Sequence, residues 1–324
     1  MNQLDIFFGL PDSMKYVSYL NELFGDEISK LDEFVLYGQN VSTGSCLGGL
    51  TRGLQRINGC NVFNTPNTEN TLVGMGFGLM LSGTPSAFFM KQQDFLLLGI
   101  DHLRNTNNFI RQHEPSTSFT IVNITMDAGY EGIQSSLNNL PDFCAIASCE
   151  GYTISSKQEA ISVIEQCFAK PGFRIISVSQ RLFGTEILDF QNQLLQADGY
   201  VMKYRQGRDA TIACFNFSLP QGEKLCNQLN QLGIEASLYS ITAAHPVTYK
   251  SIVEEAKKTG RLVIIDDSKC YTSVSNLLEI EMLRAGVDAI YNIKREMTEQ
   301  SYRPLSEEFN VDVNDVVQQL NLLS

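Results

Sequence analysis

The sequence predicts an α/β protein with two doubly wound domains. Short apolar segments alternate with longer segments of helical periodicity, which is typical of a mainly parallel sheet with helices on both faces. A polar, weakly periodic stretch at 184–199 interrupts this alternation once, and the alternation then starts again. A chain of 324 residues has room for about two domains. We therefore predict one domain at 1–190 and a second at 191–324.

The elements of the first domain follow from local patterns. KYVSYLNELFGDEISK (15–30) has apolar residues at helical spacing, and EFVLYG (33–38) is a short apolar run that predicts a buried strand. By the same criteria we predict a short helix at 50–57, strands at 61–64, 86–90 and 118–125, and helices at 69–83 and 94–112. Two more strands, FCAIAS (143–148) and FRIISVS (173–179), flank a predicted helix at 156–170.

The second domain repeats the alternation. We predict strands at 209–217, 234–241 and 261–268, and helices at 220–233, 247–260, 273–286 and 311–323. Each predicted strand is a run of apolar and β-branched residues, and each helix carries its apolar residues three and four positions apart.

Composition excludes several functions. Hydrophobic residues make up 43% of the chain, enough for a sizeable core, and the net charge of -12 opposes binding to the phosphates of nucleic acids. No apolar run reaches the roughly 18 residues that would cross a membrane. Residues 1–17 lack a basic start before an apolar core, so we expect no secretory signal there.

Cysteines and histidines do not predict a metal site. None of the eight cysteines forms a CxxC pair, and His102, His113 and His245 are far apart in the sequence. We expect reduced, mostly buried thiols and a cytoplasmic protein. His102 and His113 are predicted to be ordinary residues of the long helix, and His245 to lie in a loop of the second domain.

The glycines of GMGFG (74–78) do not predict a dinucleotide site. The segment lacks the strand–turn context and the last glycine spacing of G-x-G-x-x-G, and we expect a helix whose glycines allow close packing. The sequence also has no phosphate-binding loop of the G-x-x-x-x-G-K-[ST] type and no G-x-S-x-G nucleophile elbow.

Glu69 is the residue that calls for an explanation. It is the single acid in TPNTENTLVGMGFGLMLSG (65–83), at the start of a long apolar run. It is either a solvated acid stabilised by the helix dipole or a buried carboxylate that hydrogen-bonds a ring nitrogen of a ligand. The residue pattern by itself leaves both alternatives open.

Several segments occur in an order that resembles a known family. In the first half they are EFVLYGQNVSTG, GLTRGLQ, NVFNTPNTENTLVGMGFGLMLSG, SAFFMKQQDFLLLGIDHLRN and IQSSLNNLPDF, and in the second GYVMKYRQGRDATIACF and KKTGRLVIIDDS. Over nearly its whole length the chain resembles β subunits of thiamine-diphosphate-dependent 2-oxo acid dehydrogenases and the corresponding domains of transketolases. The resemblance implies a pyrimidine-binding domain followed by a transketolase C-terminal-like domain.

The resemblance gives Glu69 a catalytic role. In that family the glutamate of this segment hydrogen-bonds the aminopyrimidine of thiamine diphosphate and favours the tautomer that deprotonates the thiazolium carbon. The cofactor pocket is then expected to be formed by Asn67, Thr68, Glu69, Phe89, Gln92 and Phe95.

A partner chain is also implied. Enzymes of this family hold the diphosphate and Mg²⁺ through a GDG…N segment of a separate domain, and this sequence has no GDG. We expect an α subunit to supply that domain, so that thiamine diphosphate is shared across the interface and Mg²⁺ is bound by the partner. β–β self-association and a heterotetramer of two α and two β chains are expected too.

Two departures from the family leave the reaction open. Gln92 and Gln93 occupy the positions where relatives carry an aromatic ring, and IQSSLNN has Gln134, Ser135 and Ser136 in place of substrate-handling histidines. The alternatives are a 2-oxo acid dehydrogenase, a transketolase-like subunit of specialised sugar or secondary metabolism, and a non-catalytic assembly subunit. Candidate substrate residues are Asp127, Tyr130 and Gln134, because ligands collect at the ends of parallel strands.

Overall fold

The computed structural model describes residues 14–190, 194–245, 247–270, 273–295 and 304–322. We predict no secretory signal in residues 1–17, and most of that segment lies outside the described residues. The α-helices are α1 (Tyr16–Ser29), α2 (Glu69–Leu81), α3 (Asn107–Ile110), α4 (Leu140–Ala147), α5 (Lys157–Ala160), α6 (Leu219–Gln231), α7 (Lys250–Thr259), α8 (Ser275–Arg284) and α9 (Val313–Gln319). The strands are β1 (Phe34–Gly38), β2 (Cys60–Asn64), β3 (Ser86–Met90), β4 (Ser118–Thr125), β5 (Gly129–Tyr130), β6 (Glu150–Ile154), β7 (Gly172–Ser179), β8 (Gln196–Asp198), β9 (Val201–Arg205), β10 (Ala210–Phe215), β11 (Ala236–Ile241), β12 (Ala243–His245), β13 (Leu262–Asp266), β14 (Ile290–Lys294) and β15 (Leu305–Ser306).

A seven-stranded sheet organises the first domain. Its strand order is β12-β6-β7-β4-β3-β1-β2, and every pairing is parallel except that between β12 and β6. The inner strands are buried on both faces, so β1 and β3 are mostly apolar, whereas β4 alternates apolar residues with buried Ser, Thr and Asn. The carboxyl ends of these strands meet at one edge of the sheet, and the candidate site lies there.

The two faces of this sheet have separate cores. On one face α1 and the helix that begins with α5 pack against Leu36, Phe89 and Val178. On the other face α2, α4 and the helical segment 93–113 pack against Tyr37, Phe88 and Ile121. Neighbouring residues of β1 and β3 therefore point to opposite cores, as the period of two in a strand requires.

A six-stranded sheet organises the second domain. Its order is β14-β13-β10-β11-β9-β8, with parallel pairing from β14 to β11 and antiparallel pairing of β9 with both neighbours. The predicted α/β fold class is confirmed. Ile187 belongs to a core of the first domain and Phe190 to a core of the second, and we keep the division at residue 190 as a proposal.

Two of the predicted elements were wrong. Residues 143–148 lie mainly in α4, because Pro141 at the helix start and the spacing of Leu140, Phe143, Cys144 and Ala147 favour a helix. The strand of this region is β6, which follows directly. The expected helix at 50–57 forms only short 3₁₀ turns, and positive φ angles at Gly48 and Gly53 break any longer helix.

The long helix predicted at 94–112 is helical but irregular. It starts with 3₁₀ turns at Gln93–Gly99, passes through a π-helical turn at His102–Thr106 and ends in α3 and another 3₁₀ turn. His245, which we expected in a loop, ends β12, and this strand extends the sheet of the first domain. Among the described residues, no helix is long and apolar enough to span a membrane.

Candidate functional site

The candidate site lies where β1 and β2 end. Glu69 is the first residue of α2, and Gln39 directly follows β1. The backbone N–H of Thr65 donates to the carbonyl oxygen of Gly38 at 3.0 Å, so that the chain leaving β2 runs beside the end of β1. This bond brings the start of α2 next to Gln39.

Glu69 is a buried carboxylate with a neutral partner. Its side chain is only 4% exposed, and Gln39 Nε2 donates to Glu69 Oε1 at 2.9 Å. The charge is stabilised by its place in the first turn of α2, where the helix dipole is positive. A carboxylate has about four acceptor sites, so one amide donor leaves acceptor capacity for an N–H of a ligand. The alternative of a solvated acid is excluded by this burial.

Close packing fixes the helix that carries Glu69. A Cβ at Gly76 would overlap the ring of Phe119 and lie 2.5 Å from Tyr37 Oη, so only glycine fits. Tyr37 Oη donates to the carbonyl oxygen of Leu72 at 2.9 Å, and burial raises the pKa of Tyr37 well above its usual value, which keeps the donor protonated. The prediction that glycines of this segment allow close packing is confirmed for Gly76.

The other predicted pocket residues divide into two groups. Asn67 and Thr68 are exposed and directly precede Glu69 in the chain. Phe89 is fully buried on the face of the sheet opposite α2, where its ring packs edge-on against Phe24 at 5.4 Å. Phe89 is therefore a core residue, because β3 turns it away from α2, and we leave it out of the site.

Gln92 and Phe95 contact a second segment, residues 129–139, which we call the site loop. Ser135 Oγ donates to Gln92 Oε1 at 2.7 Å, so this amide is turned toward the loop. Phe95 is half-buried and lines a cavity of about 220 Å³ together with Gln134, which is exposed. Gln92, Phe95 and Gln134 are thus brought together, as a group distinct from Glu69 and Gln39.

Sequence reasoning gave no role to Asp94 and only a ring-replacement role to Gln93. Asp94 is buried and accepts hydrogen bonds from the backbone N–H groups of Ser136 and Leu137. Gln93 is fully buried, and its Oε1 accepts from the N–H of Asn139 at 2.6 Å. The signal that was available is the run of four polar residues, KQQD (91–94), directly after the buried strand β3.

Asp127 is occupied by structural contacts. It is fully buried and accepts from Ser179 Oγ at 2.5 Å and from the backbone N–H and Nε of Arg181 at 3.0 and 3.2 Å. Arg181 also donates to Asp267 Oδ2 of the second domain at 2.8 Å. Asp127 therefore joins the domains, and its proposed substrate role is withdrawn. Tyr130 is buried in β5, which pairs with β15. Because it is packed inside the protein, we do not assign it a substrate contact.

His102 and His113 make structural contacts. His102 Nδ1 lies 2.8 Å from Thr106 Oγ1, and its ring packs against Gly74. The ring of His113 lies 5.0 Å from that of Phe109. Within the described residues, no group of three or more His, Cys, Asp or Glu side chains is arranged to hold a metal ion.

The site can be tested for its fit to an aminopyrimidine ring. Such a ring needs a buried acceptor for its ring nitrogen and polar groups beside it, and Glu69 provides the acceptor. Thr65 Oγ1, four residues before Glu69, is buried without a hydrogen-bond partner among the described atoms. Other buried side-chain polar atoms, such as Ser86 Oγ and Ser118 Oγ, also lack a partner among the described residues, so the Thr65 hydroxyl is compatible with a ligand but does not require one. The residues present fit the pyrimidine end of such a cofactor, and they provide no ligand set for a diphosphate-bound cation.

Comparisons with known proteins agree with the resemblance seen in the sequence. No protein-family model matches the chain. The β subunit of the pyruvate dehydrogenase E1 component from Pisum sativum is 24% identical over 277 residues, covering 81% of this chain and 75% of the relative. The β subunit of acetoin:2,6-dichlorophenolindophenol oxidoreductase from Cupriavidus necator is 20% identical and covers 84% of this chain and 86% of the relative.

Solved structures give the same fold. A split gene transketolase, in the form of an inactive beta4 tetramer, matches with a TM-score of 0.69 at 13% identity, covering 94% of this chain and 97% of the other. Transketolase from Campylobacter jejuni matches with a TM-score of 0.64 at 10% identity and covers 96% of this chain, which spans 45% of that longer protein. In sequence the chain is thus similar to the β subunits of 2-oxo acid dehydrogenases, and in fold to transketolases, as its sequence predicted.

Proposed function

We propose that the chain is the β subunit of a split thiamine-diphosphate enzyme. The enzyme cleaves a 2-oxo acid or a ketose next to its carbonyl group and transfers the acyl or ketol unit. The single observation that carries this proposal is the burial of Glu69 at the start of α2, with Gln39 as its neutral partner. Similarity to β subunits along most of the chain supports it.

Glu69 provides an acceptor for a ring N–H of the cofactor. When bound, thiamine diphosphate supplies the electron sink for cleavage beside a carbonyl group. A charge-assisted hydrogen bond in a dry site is roughly twice as strong as a neutral one. Gln39 orients the carboxylate, since its amide N–H fixes Oε1. Asn67 and Thr68 are exposed beside Glu69 in the chain, and we propose that they contact the edge of the ring.

The proposed enzyme is active only with an α subunit. The chain has no GDG segment, and its described residues offer no cluster of metal ligands, so the diphosphate and Mg²⁺ are assigned to the partner. The split gene transketolase of similar fold is described as an inactive tetramer of β chains, which is the behaviour we propose for this chain without its partner. We keep a heterotetramer with β–β contacts, and a cytoplasmic location, as parts of the proposal.

A transketolase-like reaction is the second candidate. The site loop carries an amide, Gln134, and a hydroxyl, Ser135, and it contacts a second amide, Gln92. These neutral groups suit the hydroxyl groups of a sugar. A 2-oxo acid carries a carboxylate and needs a cationic or strong donor partner, which the α subunit would have to add. The fold similarity to transketolases points in the same direction.

The test is Glu69→Gln in the complex with the α partner. Turnover of pyruvate and of fructose 6-phosphate is followed by reduction of 2,6-dichlorophenolindophenol in the presence of thiamine diphosphate and Mg²⁺. General acid–base assistance is worth about 10²–10⁴-fold, and we expect a loss of that size. The matched control is Glu27→Gln, because Glu27 is also buried in this domain but pairs with Lys30 on α1, and it should keep wild-type turnover.

Two outcomes would contradict the proposal. If Glu69→Gln and the control both retain full turnover, Glu69 has no catalytic role, and a non-catalytic assembly subunit becomes the better account. If the wild-type complex binds no thiamine diphosphate in a calorimetric titration, the assignment to a thiamine enzyme is wrong. Comparing the two substrates separates the dehydrogenase from the transketolase-like reaction.

A further inference from the structure

Both domains make hydrogen bonds to the site loop. Gln92, Gln93 and Asp94 hold it from the first domain, as described above. On the other side lies the segment that follows β13 in the second domain, with Lys269 at its centre. The Nζ of Lys269 donates to the carbonyl oxygen of Gly129 at 3.1 Å and to that of Ser136 at 2.9 Å.

These two carbonyl groups mark the neck of the site loop. They are seven residues apart, and the chain between them folds back on itself through bonds from Glu131 N–H to the Ser135 carbonyl and from Ser135 N–H to the Gly132 carbonyl, both at 3.0 Å. A single ammonium group therefore holds both ends of the turn that presents Gln134 and Ser135.

The environment of Lys269 is consistent with a built contact. Its side chain is only 14% exposed, and Glu307 Oε2 lies 3.9 Å from its Nζ. Burial lowers the pKa of this lysine, and the nearby Glu307 carboxylate opposes that shift. The ammonium thus donates two hydrogen bonds to carbonyl groups, and the Glu307 carboxylate is too distant for a third but adds a favourable charge.

A second set of contacts docks the base of the loop independently of this side chain. The Lys269 backbone N–H donates to the Asn138 carbonyl at 2.8 Å, Asn138 Nδ2 donates to the Asp267 carbonyl at 2.7 Å, and Asn139 Nδ2 donates to the Lys269 carbonyl at 3.0 Å. Removing the Lys269 ammonium leaves these bonds in place. The effect of such a change is therefore confined to the neck of the loop.

We propose that Lys269 is a positioning residue by which the second domain holds the site loop in the shape that receives substrate. This inference rests on the proposed function for the identity of the site. It gives the second domain a part in substrate binding, in addition to assembly. Lys269 acts through the backbone of Gly129 and Ser136, so it influences substrate affinity without affecting the Glu69 acceptor.

The test compares Lys269→Met with Lys269→Arg, and uses Lys258→Met as the control. Lys258 is a lysine of the same domain that is 73% exposed and lies 3.4 Å from Glu255 Oε2. Hydrogen exchange of the isolated chain is measured for the amides of residues 131–137. Since hydrogen bonds to charged groups are worth about 1.5–3 kcal/mol, exchange there should quicken by about tenfold or more in Lys269→Met, and stay unchanged in the control.

The kinetic readout uses the complex with its α partner. For Lys269→Met we expect the KM for the better of pyruvate and fructose 6-phosphate to rise about tenfold, with the dissociation constant of thiamine diphosphate unchanged. Lys269→Arg, which keeps the donors, should recover most of the affinity. Unchanged exchange or an unchanged KM would overturn the proposal. The proposal would also be overturned if exchange became faster throughout the chain and the KM and the dissociation constant of thiamine diphosphate both rose. That result would show a purely structural role for Lys269.

The result also separates this proposal from the proposed function. If the wild-type complex shows no thiamine-dependent turnover, the proposed function fails, while exchange in the isolated chain still decides whether Lys269 holds the loop. If turnover depends on Glu69 but hydrogen exchange and KM are unchanged in Lys269→Met, the proposed function stands and this inference fails.

Discussion

Replacing Gly76 with alanine tests how tightly α2 is seated on the sheet. A Cβ at this position would overlap the Phe119 ring and lie 2.5 Å from Tyr37 Oη. Neither neighbour has room to move. Phe119 is fully buried between Phe77 and Phe173, with ring centroids 5.1 and 5.2 Å away, and Tyr37 is held by its bond to the Leu72 carbonyl. The added methyl group must therefore displace the helix.

The expected cost follows from these contacts. Overpacking a full core costs about 1–3 kcal/mol, and the better helix propensity of alanine returns up to about 1 kcal/mol. We expect Gly76→Ala to lower the free energy of unfolding by about 2 kcal/mol, which corresponds to a Tm about 4–8 °C lower. Gly78→Ala is the matched control. Nothing lies within 4 Å of its added Cβ in the same helix, so it should be neutral or slightly stabilising.

Thermal unfolding followed by circular dichroism measures both variants. Because α2 begins with Glu69, displacement of the helix should also weaken thiamine diphosphate binding in the complex, while Gly78→Ala leaves binding unchanged. Equal Tm values for the two variants would refute the reasoning, since they would mean that α2 lies farther from β4 than the structure shows.

Two further predictions concern contacts between the domains. Glu159 accepts a hydrogen bond from Ser240 Oγ of the second domain, and burial raises its pKa from 4.5 to about 7, so its stabilising contribution is complete below its unfolded pKa and is lost as the pH rises through 7. Relative to Glu159→Gln, the wild-type free energy of unfolding should fall by about 2.5 kcal/mol between pH 5 and pH 8, and parallel denaturant midpoints would contradict this. Arg181→Met should cost about 3–5 kcal/mol in urea unfolding, because it leaves the buried carboxylates of Asp127 and Asp267 without their shared cation, and a loss below about 1 kcal/mol would show that this ion pair is not what joins the domains.

Local patterns predicted most of the fold. The strands at 86–90 and 118–125 lie where predicted, because their segments are rich in apolar and β-branched residues, although β4 also buries the polar residues Ser118, Thr120, Asn123 and Thr125. FCAIAS was wrongly predicted as a strand, because a short apolar run fits a buried helix equally well. The deciding signal was Pro141 at the start of α4, which we passed over.

Features that depend on distant parts of the chain were not predictable from local patterns. The pairing of β12 with β6 joins residues about 90 positions apart, and nothing in AAH marks it as a strand. For Asp127 the end of β4 was correctly recognised, but its partners Ser179 and Arg181 come from a distant segment, and Asp267 of the second domain binds the same Arg181. Phe89 could not be assigned to a face of the sheet from the sequence either. Alternation along β3 shows that neighbouring residues lie on opposite faces, but not which face carries the site.

The most direct test of the account is a structure of the chain with its α partner, thiamine diphosphate and Mg²⁺. We expect an oxygen of the Glu69 carboxylate within about 2.7–3.2 Å of a pyrimidine ring nitrogen, and the diphosphate and the cation bound by the partner. A Glu69 side chain turned toward bulk water, or a cofactor held wholly by one chain, would contradict the account.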